Sequence, residues 1–224
     1  MSLELSGTTG VKGVAGSVSA PSIVGDDTNT GISFPSADTI KFSTGGVERM
    51  SITNSGISGT GISAGITEAD QWTITNSSNF TGSATIFQSN WARNPNSTYG
   101  KIGTGMTESS GLFTFPSTGI YLIIGSFSFY SISSALRYVG LRIQTSTDGM
   151  SSAINALDSY TSIGQSNSFG AYAQVSDNIL FDVTNTSTHK IRFVGLSITS
   201  SATYVAGNSS GMGSGVTFIR LGDT

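Results

Sequence analysis

Gly207-Asn208-Ser209-Ser210-Gly211 reproduces the spacing G-x-S-x-G, in which a serine between glycines can stand exposed on a sharp strand-to-helix turn. A nucleophile of that kind needs a histidine base, and in the hydrolase order the histidine follows the serine. The single histidine, His189, precedes it, and no helical pattern follows Gly211. The stretch therefore reads as a Gly/Ser loop, and His189, between Thr188 and Lys190, as a turn residue opening a strand. Asp26-Asp27-Thr28-Asn29-Thr30-Gly31 offers the oxygen donors that calcium prefers, but the bidentate glutamate of the usual loop is missing, which favours a plain turn. Asp158, Asp177 and Asp182 could supply a glycoside-hydrolase pair only if two of them faced one another at a defined separation. Neither G-x-x-x-x-G-K-[ST] nor a strand-borne G-x-G-x-x-G occurs. The expectation is a protein that is not an enzyme, with no catalytic residues, no metal site and no cofactor.

Composition narrows the alternatives. Only 10% of the 224 residues are charged, Gly numbers 29, and the net charge is −3 with pI near 4.9. No basic block tracks a phosphate backbone, so no nucleic-acid partner is expected. Cysteine is absent, which removes disulfide and thiolate-metal frameworks. No apolar run approaches the roughly 20 residues of a membrane span, so no membrane insertion is expected. Residues 1–10 lack a basic segment and an apolar run, so no export signal is read there. Such a composition without an export signal suits a particle assembled inside a cell and released by lysis.

The chemistry-poor residues sit on a strand-rich chain. No segment keeps a 3.6-residue period, while apolar runs recur between Gly/Ser/Asn clusters from residue 70 onward, predicting an all-β sandwich or jelly roll. Strands are expected at 72–75, 84–88, 112–115, 120–130, 136–145, 154–157, 169–175, 179–183, 191–198 and 216–221. The organising stretch is 111–130. Leu112-Phe113-Thr114-Phe115 alternates, and Pro116-Ser117-Thr118-Gly119 is a turn, because Pro presets φ and Gly accepts positive φ. Ile120-Tyr121-Leu122-Ile123-Ile124 is apolar on both faces, whereas Ser126-Phe127-Ser128-Phe129 alternates. A two-faced apolar strand needs a cover on each side, and Ile123 and Ile124 are the expected contacts with neighbouring subunits.

The residues Gly111, Phe113, Phe115, Pro116, Gly119, Ile120, Tyr121 and Leu122 carry a resemblance to the complement globular-head and tumour-necrosis-factor-like jelly rolls. It extends as a looser pattern through 139–143, 177–180 and 215–222. That resemblance implies a ten-stranded sandwich assembled as a homotrimer.

Of 21 Phe, Trp and Tyr residues, only Phe34 and Phe42 precede residue 70, so the first third cannot build an ordinary core alone. Four domains are expected: an attachment segment 1–20, a short-stranded module 21–56, a Gly/Ile/Ser neck 57–69 and a jelly-roll head 70–224. Segment 1–20 reads either as a floppy terminus or as an anchor ordered by another virion protein. In the module, Pro21-Ser22-Ile23, Asp27-Thr28-Asn29-Thr30-Gly31-Ile32, Ala37-Asp38-Thr39-Ile40, Gly46-Val47-Glu48-Arg49 and Ile52-Thr53-Asn54-Ser55-Gly56 resemble a unit of marine-phage tail fibres. In the neck, Ile57, Ile62 and Ile66 recur about every five residues, as layers shared by three chains would.

These resemblances imply a phage-virion protein, a trimeric fibre at the virion surface, made in the bacterial cytoplasm. Its head would bind a host surface glycan or protein. The competing reading is a capsid-attached head fibre or decoration protein, and the third is a cell-surface glycan hydrolase. The expected receptor contacts are Tyr204, Asn208 and Met212 in a loop at 200–214, a paratope-like mixture of an aromatic anchor, an amide and a pliable thioether.

Overall fold

A computed structural model describes residues 4–6, 10–12, 15–60, 62, 65–80, 82–94, 100–132, 135–164, 170–197 and 203–224. The chain divides into two compact units, Met1–Gly65 and Ile66–Thr224.

The first unit contains β1 (Glu4–Ser6) and β2 (Gly10–Lys12), paired antiparallel, and a separate meander. The meander runs β3 (Ile23–Val24), β4 (Gly31–Ser33), β5 (Ile40–Thr44), β6 (Val47–Thr53) and β7 (Gly56–Ser58), each pairing with the next. Its register places Ile23 opposite Ile32, Ile32 opposite Phe42, Phe42 opposite Met50, and Ile52 between Ile40 and Ile57. Because side chains alternate along a strand, these residues share one face. Ser33, Lys41 and Ser51 share the other. Among the described residues, no large apolar side chain of this unit is fully buried. The sheet is one layer with one greasy side.

The second unit is a sandwich. Its strands are β8 (Ala69–Ile74), β9 (Ser78–Phe80), β10 (Thr85–Ile86), β11 (Trp91–Arg93), β12 (Thr107–Ser109), β13 (Leu112–Thr114), β14 (Gly119–Ser131), β15 (Leu136–Ser146), β16 (Ile154–Ile163), β17 (Ala171–Val183), β18 (Lys190–Ser197), β19 (Thr203–Val205) and β20 (Gly215–Gly222). The front sheet has β11-β8-β20-β14 in order, with β17 on the far edge of β14. Strands β19 and β9 continue the β20 and β8 positions beyond the reach of β20. The back sheet runs β12-β13-β18-β15-β16, with β10 beside β18. Every pairing is antiparallel and the crossovers are those of a jelly roll.

Between the sheets lies an aromatic core. Phe113 is ringed by Trp72, Trp91, Phe193 and Phe218 at centroid separations of 5.1 to 5.8 Å. The contacts with Trp72, Trp91 and Phe193 are edge-to-face and that with Phe218 is tilted, and such pairs add to the burial of each ring. Gly195 gives Phe80 and Phe87 their space, since a Cβ there would stand 2.7 Å from the Phe87 ring. At the turn into β14, Gly119 has φ of 139° and packs against the Arg220 side chain and the Gly222 carbonyl, a place only glycine fills without strain.

Several sequence expectations change. The strands expected at 169–175 and 179–183 merge into one, β17, which begins at Ala171; residue 169 lies outside the described residues. Ile154–Leu157 extends to Ile163. Ile57 belongs to the sheet of the first unit, as the centre of β7, and not to a separate neck. Ile62 follows a turn closed by its amide on the Gly59 carbonyl.

Candidate interaction surface

Strand β14 decides which side chains face out. Its burial alternates without a break from Gly119 to Ser131. Tyr121, Ile123, Phe127 and Phe129 point into the core, and Ile123 is 0% exposed within a single chain. This corrects the expectation for Ile123: a side chain already enclosed by its own sandwich has no surface left for another subunit. Ile124 points the other way, half-buried, beside Ile120 and Leu122.

Neighbouring strands continue this outer face in register. Leu122 lies between Leu180 on β17 and Ile219 on β20, and Ile219 lies beside Ala69 on β8. That rung is apolar across four strands, and Leu180 is 65% exposed. The next rung sets Ile124 between Asn178 and Thr217. Farther along, Ser126 and Ser128 are followed by a rung of three tyrosines. Tyr130 lies between Tyr172 and Tyr204, its ring centroid 5.1 Å from one and 4.8 Å from the other. Tyr172 is 67% exposed. The apolar rung and the aromatic rung are two separate patches on one face, with Ser126 and Ser128 between them, and exposed patches of this kind mark interaction surfaces.

Tyr204 is thus a strand residue on the front sheet, stacked on Tyr130, and not part of the loop with Asn208 and Met212. The loop between β19 and β20 is anchored. The Asn208 amide donates to the Ile74 carbonyl at 2.9 Å, the Ala206 amide to Ser128 at 2.8 Å, and the Gly207 amide to the Ser77 hydroxyl at 3.0 Å. Ser214 is fully buried, its Oγ accepting from the Ser128 amide at 3.0 Å. The Asn208 side chain closes a turn onto the Ser210 amide at 2.9 Å. Asn208 and Met212 remain exposed. They lie at the end of the unit where β8 finishes; Arg220 meets Glu68 at the opposite end.

The remaining sequence candidates are satisfied locally. Asp27 accepts from the Asn29 amide at 3.1 Å and the Thr30 hydroxyl at 2.7 Å, and the Thr30 contact chiefly holds its carboxyl below the usual range. The motif 26–31 is a self-capped turn. His189 lies at the start of β18, between the Thr184 and Thr188 hydroxyls at 3.3 Å each. Ser209 sits at the opposite end of the sandwich, a strand length of roughly 25 Å away. Asp158 faces outward on β16, Asp177 meets the Ser159 hydroxyl at the seam between β16 and β17, and Asp182 faces outward on β17.

One cluster was not anticipated. Asp70, 3% exposed, accepts from Trp72 Nε1 at 2.9 Å, from Arg93 Nη2 at 2.8 Å and from the Met106 amide at 2.8 Å. The Arg93 guanidinium also lies 4.6 Å above the Trp72 ring. An aspartate two residues before a tryptophan was the only sequence signal for it.

No protein-family model matches the sequence, and no curated protein matches it. Solved structures do resemble it. The Eiger TNF structure from S. frugiperda superimposes with a TM-score of 0.51 at 11% identity, covering 70% of this chain and 93% of its own. Murine APRIL gives a TM-score of 0.48 at 13% identity, covering 69% and 98%. The Eiger TNF likeness supports a TNF-like jelly roll for the second unit, and at this identity it concerns the fold alone.

Proposed function

We propose that this chain is a structural fibre of a bacteriophage virion, a homotrimer whose jelly-roll head recognises the host cell surface. The observation that carries the assembly is the outer face of the front sheet. Ile120, Leu122, Ile124, Leu180 and Ile219 form a patch that a lone subunit would leave wet. Closed three-fold symmetry lets each copy bury the same patch and leaves no open end. The apolar row of the first unit, from Ile23 to Ile57, has the same need for a cover and would find it in the same partners.

The virion reading is supported by the fibre-like residues 21–56 and by a low-charge, cysteine-free composition. Residues 1–20 would join another virion protein, and Asn208 and Met212 would contact a host glycan or protein. The head would be displayed at the virion surface after synthesis in the bacterial cytoplasm. Light scattering on the full chain should give three chains per particle; a stable monomer would end this reading. Antibody labelling of intact virions then separates the two attachment sites. Label at the tail supports a host-recognising tail fibre, and label over the capsid favours the decoration role.

A further inference from the structure

The back sheet turns a different surface outward. Three successive rungs carry Arg192–Gln144–Asn155, Val194–Arg142–Asp158 and Leu196–Gly140–Tyr160 across β18, β15 and β16. Val194 and Leu196, each 2% exposed but outside the aromatic core, form an apolar floor. Above it the polar groups hold one another in place. Arg192 Nε donates to Gln144 Oε1 at 2.7 Å, and Gln144 Nε2 donates to Asn155 Oδ1 at 2.8 Å. Arg142 binds Asp158 through two bonds of 2.6 Å each, and the Tyr160 hydroxyl donates to the same carboxylate at 3.2 Å.

Tyr160 is drawn over the space left by Gly140, where a Cβ would stand 3.0 Å from its Cδ1. Its ring is 55% exposed and set edge-to-face against Tyr138, with centroids 5.3 Å apart. The result is a rigid surface with an open aromatic ring, fixed amides and a surplus of positive charge. Asp158 neutralises Arg142, whereas among the described residues no carboxylate pairs with Arg192 or with Lys190 on the same strand.

We propose that this face binds an acidic polysaccharide, a pyranoside chain carrying carboxylates. A sugar ring packs on Tyr160, and its hydroxyls find Asn155 and Asp158. A uronate-type carboxylate meets the unused guanidinium nitrogens of Arg192, the planar geometry that arginine matches best. The charge complementarity is local to Arg192 and Lys190, since the chain as a whole carries a net charge of −3. Asp158, neutralised by Arg142, keeps lone pairs that accept from hydroxyl donors, which a sugar supplies. The front-sheet patch plays no part, so the proposal does not depend on the trimer or on the virion role.

The test is calorimetry on the full chain with polygalacturonate hexamers, with methyl-esterified hexamers and dextran sulfate as comparisons. Polygalacturonate should bind, and esterification should weaken binding by about tenfold or more, as loss of a charge-assisted pair does. Arg192→Gln and Tyr160→Ala should each weaken it by about tenfold while leaving the thermal transition in place. Arg142 and Asp158 are left intact, because removing either strands the other's charge. Absence of binding, unchanged affinity in both variants, or dextran sulfate binding as tightly as polygalacturonate would overturn the proposal. A monomer in light scattering, together with polygalacturonate binding, would end the fibre reading and leave this one standing.

Discussion

Asp70 shows how a single side chain organises its surroundings. Its carboxylate gathers an indole, a guanidinium and a backbone amide at one edge of the core. Asp70→Ala leaves the Trp72 indole and the Met106 amide without an acceptor, at about 1–3 kcal/mol for a buried donor left unsatisfied, while Arg93, 41% exposed, can turn to water. A denaturant midpoint on the full chain should fall accordingly. Asp158 makes a smaller and pH-dependent contribution. The Arg142 guanidinium, its principal partner, holds the carboxyl below the ordinary aspartate range, with a further push from Tyr160 and only partial opposition from burial. A lowered folded pKa means stability present above the unfolded value and lost as pH falls through the folded one. The wild type should therefore lose up to about 1 kcal/mol on acidification below the ordinary aspartate range, as a partly exposed pair allows. Asp158→Asn should lack that increment; an identical acid limb in both proteins would contradict the assignment.

Strand β14 carries the argument at the scale of elements. Its two faces do different things, and adjacent isoleucines separate them. Ile123→Asp puts a charge in the aromatic core and should abolish the cooperative transition, because an unpaired buried charge costs several kcal/mol. Ile124→Asp should leave circular dichroism unchanged and shift light scattering to single subunits. If Ile124→Asp remained associated, the front face would not be the contact. The loop between β19 and β20 is similarly divided between structure and display. Gly207 could not take a Cβ, which would meet the Asn76 carbonyl carbon at 2.2 Å, so Gly207→Val should unfold the loop. Asn208→Ala with Met212→Ala should spare the fold and reduce adsorption of purified protein to host cells. Undiminished adsorption would remove the loop from recognition.

The whole molecule is two units of unequal self-sufficiency. The second has its own aromatic core; the first has a single-layer sheet whose apolar side chains stay partly exposed. Residues 66–224 expressed alone should unfold in one cooperative transition and associate like the full chain. The first unit alone should show little amide protection at concentrations too low for self-association, since one sheet cannot bury enough surface to offset its ordering entropy. Stable protection in a monomeric first unit would show that the exposed face needs no cover.

The sequence by itself determined the all-β class, the strand–turn–strand at 111–130, the aromatic divide near residue 70 and the extended runs at 136–145 and 216–221. Each rests on local rules: alternation, Pro and Gly turn chemistry, and the count of side chains able to build a core. Only the tertiary structure decided the rest. Whether Ile123 or Ile124 faces the core depends on which side the second sheet covers, and five apolar residues in a row do not say. Asp177-Asn178 has turn chemistry, yet β17 runs straight through it because β14 supplies thirteen consecutive pairing partners. Tyr204 left its loop because β14 extends beyond β20 and offers a free edge for β19. The Arg192–Gln144–Asn155 and Arg142–Asp158–Tyr160 groupings join residues of three strands up to 48 positions apart in sequence. Register alone brings them together, and register is set by long-range pairing that no short window of sequence contains.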